Sequence, residues 1–175
     1  RYHQIYSEIK ASNNLHIYAG NKEFNYTNKQ ISSTTNNSQD GDFAIDASSA
    51  GSIYAGLIKI VATETGLGVK SDANLISSIS NVDIDAAGDV SYKQVQAVDK
   101  FTIKAAGNIE QSLSSQANQL EFNTARTLLI KGKLLAKDAT ALTGTQIYLD
   151  KTATGLSIDQ DLIHANNITF TATDS

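Results

Sequence analysis

The feature that most constrains this chain is a short pattern that returns along its whole length: apolar, any, apolar, any, small. It reads Leu15-Ile17-Ala19, Phe43-Ile45-Ala47, Ile58-Ile60-Ala62, Val82-Ile84-Ala86 and Phe101-Ile103-Ala105, then Leu120-Phe122-Thr124, Ile147-Leu149 and Ile168-Phe170-Ala172. Within each copy the period is two, the strand period, with one face buried. Val82, Phe101 and Leu120 begin copies 19 residues apart (101 − 82 and 120 − 101); the next intervals are 27 (147 − 120) and 21 (168 − 147).

Strand-only self-similarity at about 20 residues predicts a stack of near-identical turns, a parallel β-solenoid. The expectation is an all-β, right-handed parallel β-helix with about 19–21 residues per turn. A leucine-rich repeat of similar length needs a helix or turn consensus with leucines and an Asn, which is absent here. Equivalent residues should stack, so Val82, Phe101 and Leu120 lie over one another, and Ala86, Ala105 and Thr124 mark a tight place near a corner. Eight copies at the spacing of paired strands give a rod of roughly 40 Å. Asn14, Asn81, Asp99, Asn118 and Asn167 precede strands, and Gly20, Gly88 and Gly107 close them. Both residue types tolerate left-handed backbone angles and so read as corners. A second, less regular apolar set (Leu75-Ile76-Ile79, Val90-Tyr92-Val95, Ile109-Leu113, Leu156-Ile158-Leu162) implies more than one strand per turn.

Two segments break the pattern. Residues 21–42 are polar and low in complexity and read as an excursion or loop. Residues 127–144 alternate apolar and charged side chains; they are expected as a protruding strand pair or an irregular coil, with a short helix over 134–142 as the minor alternative. Both ends run through repeating material, so the last copy leaves an open sheet edge.

Composition narrows the function classes. The formal net charge is −4, from 14 basic and 18 acidic residues, and Arg1 and Arg126 are the two arginines. That argues against nucleic acid, which needs a clustered basic surface. No apolar run approaches the roughly 20 residues of a membrane-spanning helix, and residues 1–10 do not read as a signal peptide. Absent methionine predicts a piece or a processed product of a longer chain. Absent cysteine excludes disulfides, thiol nucleophiles and zinc–thiolate sites. It also suits a chain threaded unfolded through an oxidising compartment. Absent proline suits an uninterrupted sheet, because proline cannot donate a ladder hydrogen bond.

Candidate chemistry is sparse. His3, His16 and His164 are far apart and fit no metal-ligand spacing, and His164 is expected to point outward. The pair Asp40/Asp42 lies in a polar loop but lacks the register and distal Glu of a calcium loop. Asp83, Asp85 and Asp89 read as outward, solvated positions of a strand. Gly66-x-Gly68 has no following helix pattern and reads as a turn. Sequons at Asn25-Tyr26-Thr27, Asn36-Asn37-Ser38 and Asn167-Ile168-Thr169 are expected by chance at this Asn, Ser and Thr content. Most of the tyrosines at 2, 6, 18, 26, 54, 92 and 148 read as outward or corner packing rather than a sugar platform. The expectation is therefore a non-enzymatic segment with no catalytic, cofactor-binding or metal residue.

One passage is more specific. Residues 44–71, AIDASSAGSIYAGLIKIVATETGLGVKS, carry Asp46, Ser48, Gly51, Tyr54, Ala55, Gly56, Ile58, Thr63, Glu64, Gly66, Gly68 and Val69 in a fixed spacing. This resembles a passage of the filamentous-haemagglutinin-like exoproteins of two-partner secretion, which include contact-dependent growth inhibition effectors. Departures from the family pattern are Ala50 for Leu, Ser52 for Gly, Ile53 for Met, Leu57 for Lys, Lys70 for Arg and Ser71 for Asn. The resemblance implies that 1–72 is the C-terminal part of the secretion domain and 73–175 the first β-helical stalk repeats, continuous with it. It implies export by an outer-membrane partner transporter to the surface of a Gram-negative bacterium, and a rigid arm for adhesion or toxin delivery. A target-cell receptor would be met by parts outside this chain. The family's Asn-Pro motif is absent, so no transporter-recognition residue carries over. The alternatives are a free-standing β-helical polysaccharide-processing enzyme and an autotransporter adhesin passenger. The enzyme would need an acidic cluster with Arg or Lys on the outer face.

Overall fold

The computed structural model describes residues 3–20, 23–25, 30–32, 43–150 and 162–173. These hold eighteen strands and no helix. The chain winds as a β-solenoid with three faces per turn, and on every face the strands run parallel and in register with those of neighbouring turns. Neither Asp40/Asp42, the two upstream sequons nor Leu156-Ile158 falls wholly within the described residues.

The first face stacks β1 (His3–Ile5), β6 (Phe43–Ala47), the start of β9 (Gly68–Ser77), the start of β11 (Val90–Gln96), the start of β13 (Ile109–Thr124), β14 (Thr127–Ile130) and β16 (Gln146–Leu149). The second stacks β2 (Ile9–Lys10), β7 (Ser52–Ala55), the ends of β9 and β11, the middle of β13, the start of β15 (Lys133–Gly144) and β17 (Ile163–His164). The third stacks β3 (Asn14–Ala19), β8 (Leu57–Ala62), β10 (Val82–Ala86), β12 (Lys100–Ala105), the ends of β13 and β15, and β18 (Asn167–Ala172). Each face thus carries seven strand segments, or six spacings of roughly 4.8 Å, a described stack of about 29 Å.

Period-two alternation makes each strand half core and half surface. On the third face Ile58, Val82, Phe101 and Leu120 are each at most 1% exposed and stack in register, as do Ile60, Ile84, Ile103 and Phe122. The small column Ala62, Ala86, Ala105 and Thr124 follows them. The stacked ladder predicted from the 19-residue spacing is therefore present.

Two copies of the pattern lie elsewhere than expected. Phe43-Ile45-Ala47 and Ile147-Leu149 belong to the first face, where they pair with Gly68-Val69-Ser71 and Leu128-Ile130. The third face instead continues through Thr140-Leu142-Gly144, so its intervals after Leu120 are 20 (140 − 120) and 28 (168 − 140). All three faces bury alternate residues, so the pattern alone does not say which face a copy occupies. Segment 127–144 is likewise no protrusion and no helix. β14 and β15 form an ordinary turn stacked on β13, with Leu128, Ile130, Leu134 and Leu142 in the core.

Between β3 and β6 the described residues form a small antiparallel hairpin, β4 (Glu23–Asn25) with β5 (Gln30–Ser32), outside the main sheet. The stack closes across this excursion: Leu15, Ile17 and Ala19 pair directly with Ile58, Ile60 and Ala62, 43 residues later (58 − 15).

Candidate functional site

The signature passage, 44–71, builds the second turn and opens the third. Its apolar residues enter the core: Ile45, Ile53, Ile58, Ile60 and Val69 are at most 1% exposed. Asp46, Tyr54 and Ala55 lie within strands, while Ser48, Gly51, Gly56, Thr63, Glu64 and Gly66 sit at corners, where one turn must be held against the next. Ser48 donates its backbone N–H to Ile5 O (2.9 Å), Gly56 to Asn13 O (2.6 Å) and Thr63 to Ala19 O (3.1 Å). These three bonds tie the second turn to the first on successive corners. Tyr54 receives the Lys10 ammonium over its ring at 5.8 Å. Lys10 is itself held above its ordinary pKa by the hydrogen bond and charge of Glu8.

The corner between the third and first faces explains the glycines. Gly66 has φ +82° in the turn closed by Leu67 N–H to Glu64 O (3.0 Å), the left-handed backbone that glycine adopts without strain. Gly88 and Gly107 have no such angle; close approach selects them instead. A Cβ on Gly88 would lie 2.6 Å from Gly66 O, and one on Gly107 would lie 2.1 Å from Asp89 Oδ1 and 2.7 Å from Asp89 N. The expected left-handed backbone is therefore absent at Gly88 and Gly107 and present at Gly20, with φ +129°.

The titratable candidates do not converge. Asp83 and Asp85 point outward on the third face and stand in register with Lys59 and Lys104. Asp89 departs from the expected solvated strand position. It lies in the corner, where its Oδ1 accepts Asn108 N–H (2.6 Å) and Nδ2 (3.3 Å) and fixes the turn. His16 stacks edge-on against Tyr18 (6.1 Å between ring centroids) on the first turn, while His164 is exposed on the last. Among the described residues no group of three or more His, Asp or Glu is placed to hold a metal ion. Arg126 lines a corner recess beside Gly66, Gly88 and Asp89.

A polar group inside the core escaped sequence reasoning. Tyr92 is 2% exposed and faces inward, against the expectation of outward or corner packing. Its hydroxyl meets Ser115 Oγ at 2.8 Å, and its ring packs edge-on against Phe101 (5.3 Å) and Phe122 (6.1 Å). Burial pushes its phenol well above the ordinary value, with the Ser115 bond pulling the other way. Gln111, fully buried, accepts Gly132 N–H at 2.8 Å and donates to Lys133 O at 3.4 Å, holding the link from β14 to β15. The pairing of Ile109 and Gln111 in an alternating strand was the available signal, but a rule admitting only apolar residues inside passes over it. The built features of this surface are thus corners and ladders that fix one turn on the next.

A family model described as the TPS secretion domain matches residues 1–92. Toxin CdiA of Yersinia pestis is 28% identical over 106 residues, covering 58% of this chain and 3% of that protein. The chain therefore spans a small fraction of the curated relative it matches. No solved structure matches it.

Proposed function

The chain belongs to the family of TPS (two-partner secretion) domains and is a segment of a secreted exoprotein, and from that premise we propose that it is the part in which the secretion domain passes into a β-helical arm. On this reading residues 1–72 end the secretion domain and 73–175 begin the stalk repeats. β9 crosses that junction and the family match reaches residue 92, which supports one continuous solenoid rather than two modules. Export runs through a barrel transporter in the outer membrane, and the emerged rod stands at the cell surface, carrying adhesive or toxic parts of the longer protein.

The observation that carries this reading is the in-register stack of turns joined by the signature passage. Each turn contacts its neighbours, so stability accrues turn by turn as chain arrives, without waiting for distant segments. Folding outside the membrane can then draw the chain outward where no ATP is available. The role is structural.

The test is secretion from a Gram-negative host of the chain with its native upstream sequence. Co-expression of a cognate outer-membrane barrel transporter should move the chain into the medium in protease-resistant form. Equal amounts in the medium without that transporter would refute the proposal.

A further inference from the structure

The apolar pattern does not by itself set how one turn sits on the next. A one-residue slip between turns would turn the core side chains outward. A two-residue slip keeps every alternating side chain on its own side, since the side-chain period is two. On the third face Val82 would then meet Ile103 in place of Phe101, and Phe101 would meet Phe122 in place of Leu120. Apolar contact scarcely separates these arrangements.

The interior holds a seam of polar side chains that does separate them. At the corner between the first and second faces one inward column runs Ala47, Ser71, Tyr92, Gln111, Ile130 and Leu149. Ser71, Tyr92 and Gln111 are at most 2% exposed. Across the corner the column Leu75, Val95, Ser115, Leu134 carries one polar residue, the buried Ser115. Ser71 is satisfied within its own turn, donating to Ala73 O at 3.2 Å. The other two reach into the following turn. Tyr92, on β11, meets Ser115 Oγ, on β13, at 2.8 Å. Gln111, on β13, accepts Gly132 N–H at 2.8 Å and donates to Lys133 O at 3.4 Å, both at the entry to β15.

We propose that this seam sets the register of successive turns: the turns of β11 and β13 each present a buried polar group that only a correctly placed next turn satisfies. A slip of two residues moves the partner by roughly 6.6 Å, out of hydrogen-bond reach. The phenol or the amide would then lie in the apolar core with no partner. Corner side chains also link turns, as Asn81 Oδ1 does to Lys100 N–H and Asn108 Oδ1 to Thr127 N–H, each at 3.2 Å. Those corners are half-buried, so water replaces a lost partner there. Inside the core nothing replaces it, and specifying register is a role that buried polar groups are known to take. In both cases the partner belongs to the later turn, so a folded turn is the template for the one that follows it. The inference concerns the folded stack and does not depend on the export route.

The experiment exploits the absence of cysteine. Cysteine pairs at outward positions report register, because a disulfide needs Cα atoms within about 7 Å and a two-residue diagonal spans roughly 8 Å. Gln96→Cys/Gln116→Cys reads the native register of β11 on β13; Gln96→Cys/Ser114→Cys and Gln94→Cys/Gln116→Cys read the two slipped ones. For β13 and β15 the native pair is Gln116→Cys/Leu135→Cys, and the slipped pairs are Gln116→Cys/Lys133→Cys and Ser114→Cys/Leu135→Cys. Each chain is refolded from urea and oxidised. In the parent background the native pairs should cross-link and the slipped pairs should not. Tyr92→Phe/Ser115→Ala removes both partners together and strands neither, so the chain should still fold while a slipped β11–β13 pair cross-links about tenfold more. Gln111→Leu should do the same for a slipped β13–β15 pair and leave the β11–β13 pairs unchanged. Ile130→Val, an apolar trim in the same column, should enrich no slipped pair. Enrichment in either seam variant supports the proposal. It is overturned if neither variant enriches a slipped pair, whether because the native register holds or because the fold is lost, or if Ile130→Val enriches one as much.

Discussion

Two buried threonines on adjacent turns should respond in opposite directions to one substitution. Thr124 and Thr140 both face the core of the third ladder, 2% and 1% exposed. Thr124 is fully used: its hydroxyl donates to Gly107 O and accepts Arg126 N–H at 3.0 Å. Thr140 Oγ1 is buried with no hydrogen-bond partner. Thr124→Val removes two bonds and strands a buried carbonyl, a loss of about 1–3 kcal/mol. The gained methyl offsets about 0.8 kcal/mol of it. Thr140→Val removes no bond. It relieves a desolvated hydroxyl costing about 1–3 kcal/mol by mutational measures and keeps the branched shape that a strand favours. The two variants should therefore differ by about 2–4 kcal/mol, one below and one above the parent chain. Urea unfolding followed by circular dichroism, with midpoints compared at a common slope, reads the difference. A lowered midpoint for Thr140→Val, or two shifts of the same sign, would refute the hydrogen-bond accounting on which both expectations rest.

Other perturbations test other parts of the fold. The Tyr92 phenol keeps its proton in the folded chain at pH values where the unfolded chain releases it. Its stabilising contribution is full below about pH 10, the ordinary phenol value, and is lost as pH rises beyond it. Tyr92→Phe should cost about 1 kcal/mol at neutral pH through the Ser115 bond and flatten the alkaline limb of a stability–pH curve; an unchanged limb would count against burial as the cause. Gly68→Ala places a Cβ 2.2 Å from Asp89 O, so the backbone must give way, with an expected loss of about 1–3 kcal/mol by thermal unfolding. Lys131→Glu sets two carboxylates against each other at Glu110 and should cost about 0.5 kcal/mol. Adding Glu110→Lys should restore most of it, read as a double-mutant cycle.

Much of this architecture was legible because a solenoid writes its geometry into spacing. Val82, Phe101 and Leu120 recur every 19 residues since each turn must return the chain to the same face, and their stacking is what the structure shows. Face assignment was legible only where turn length held constant. Phe43 and Ile147 carry the same alternation as the third-face residues, so nothing local distinguishes the first face from the third. Thr140 was hidden because its turn begins with a polar residue, and Tyr92 and Gln111 because their polar ends find partners only across turns. Family membership was legible in the corners: Gly51, Gly56 and Gly68 sit where a neighbouring turn leaves no room for a Cβ, and Gly66 takes a left-handed backbone.

The in-register stacking has a mechanical consequence. Strands lie across the axis, so the hydrogen bonds between turns lie along it. Tension applied to the chain at an end does not shear a whole sheet at once; it peels the outermost turn, one row of bonds after another, and then meets an equivalent turn beneath. Unravelling should proceed at a low and nearly even force over a long extension, as thread leaves a spool. A rod built this way yields length under load and can rewind when the load is released.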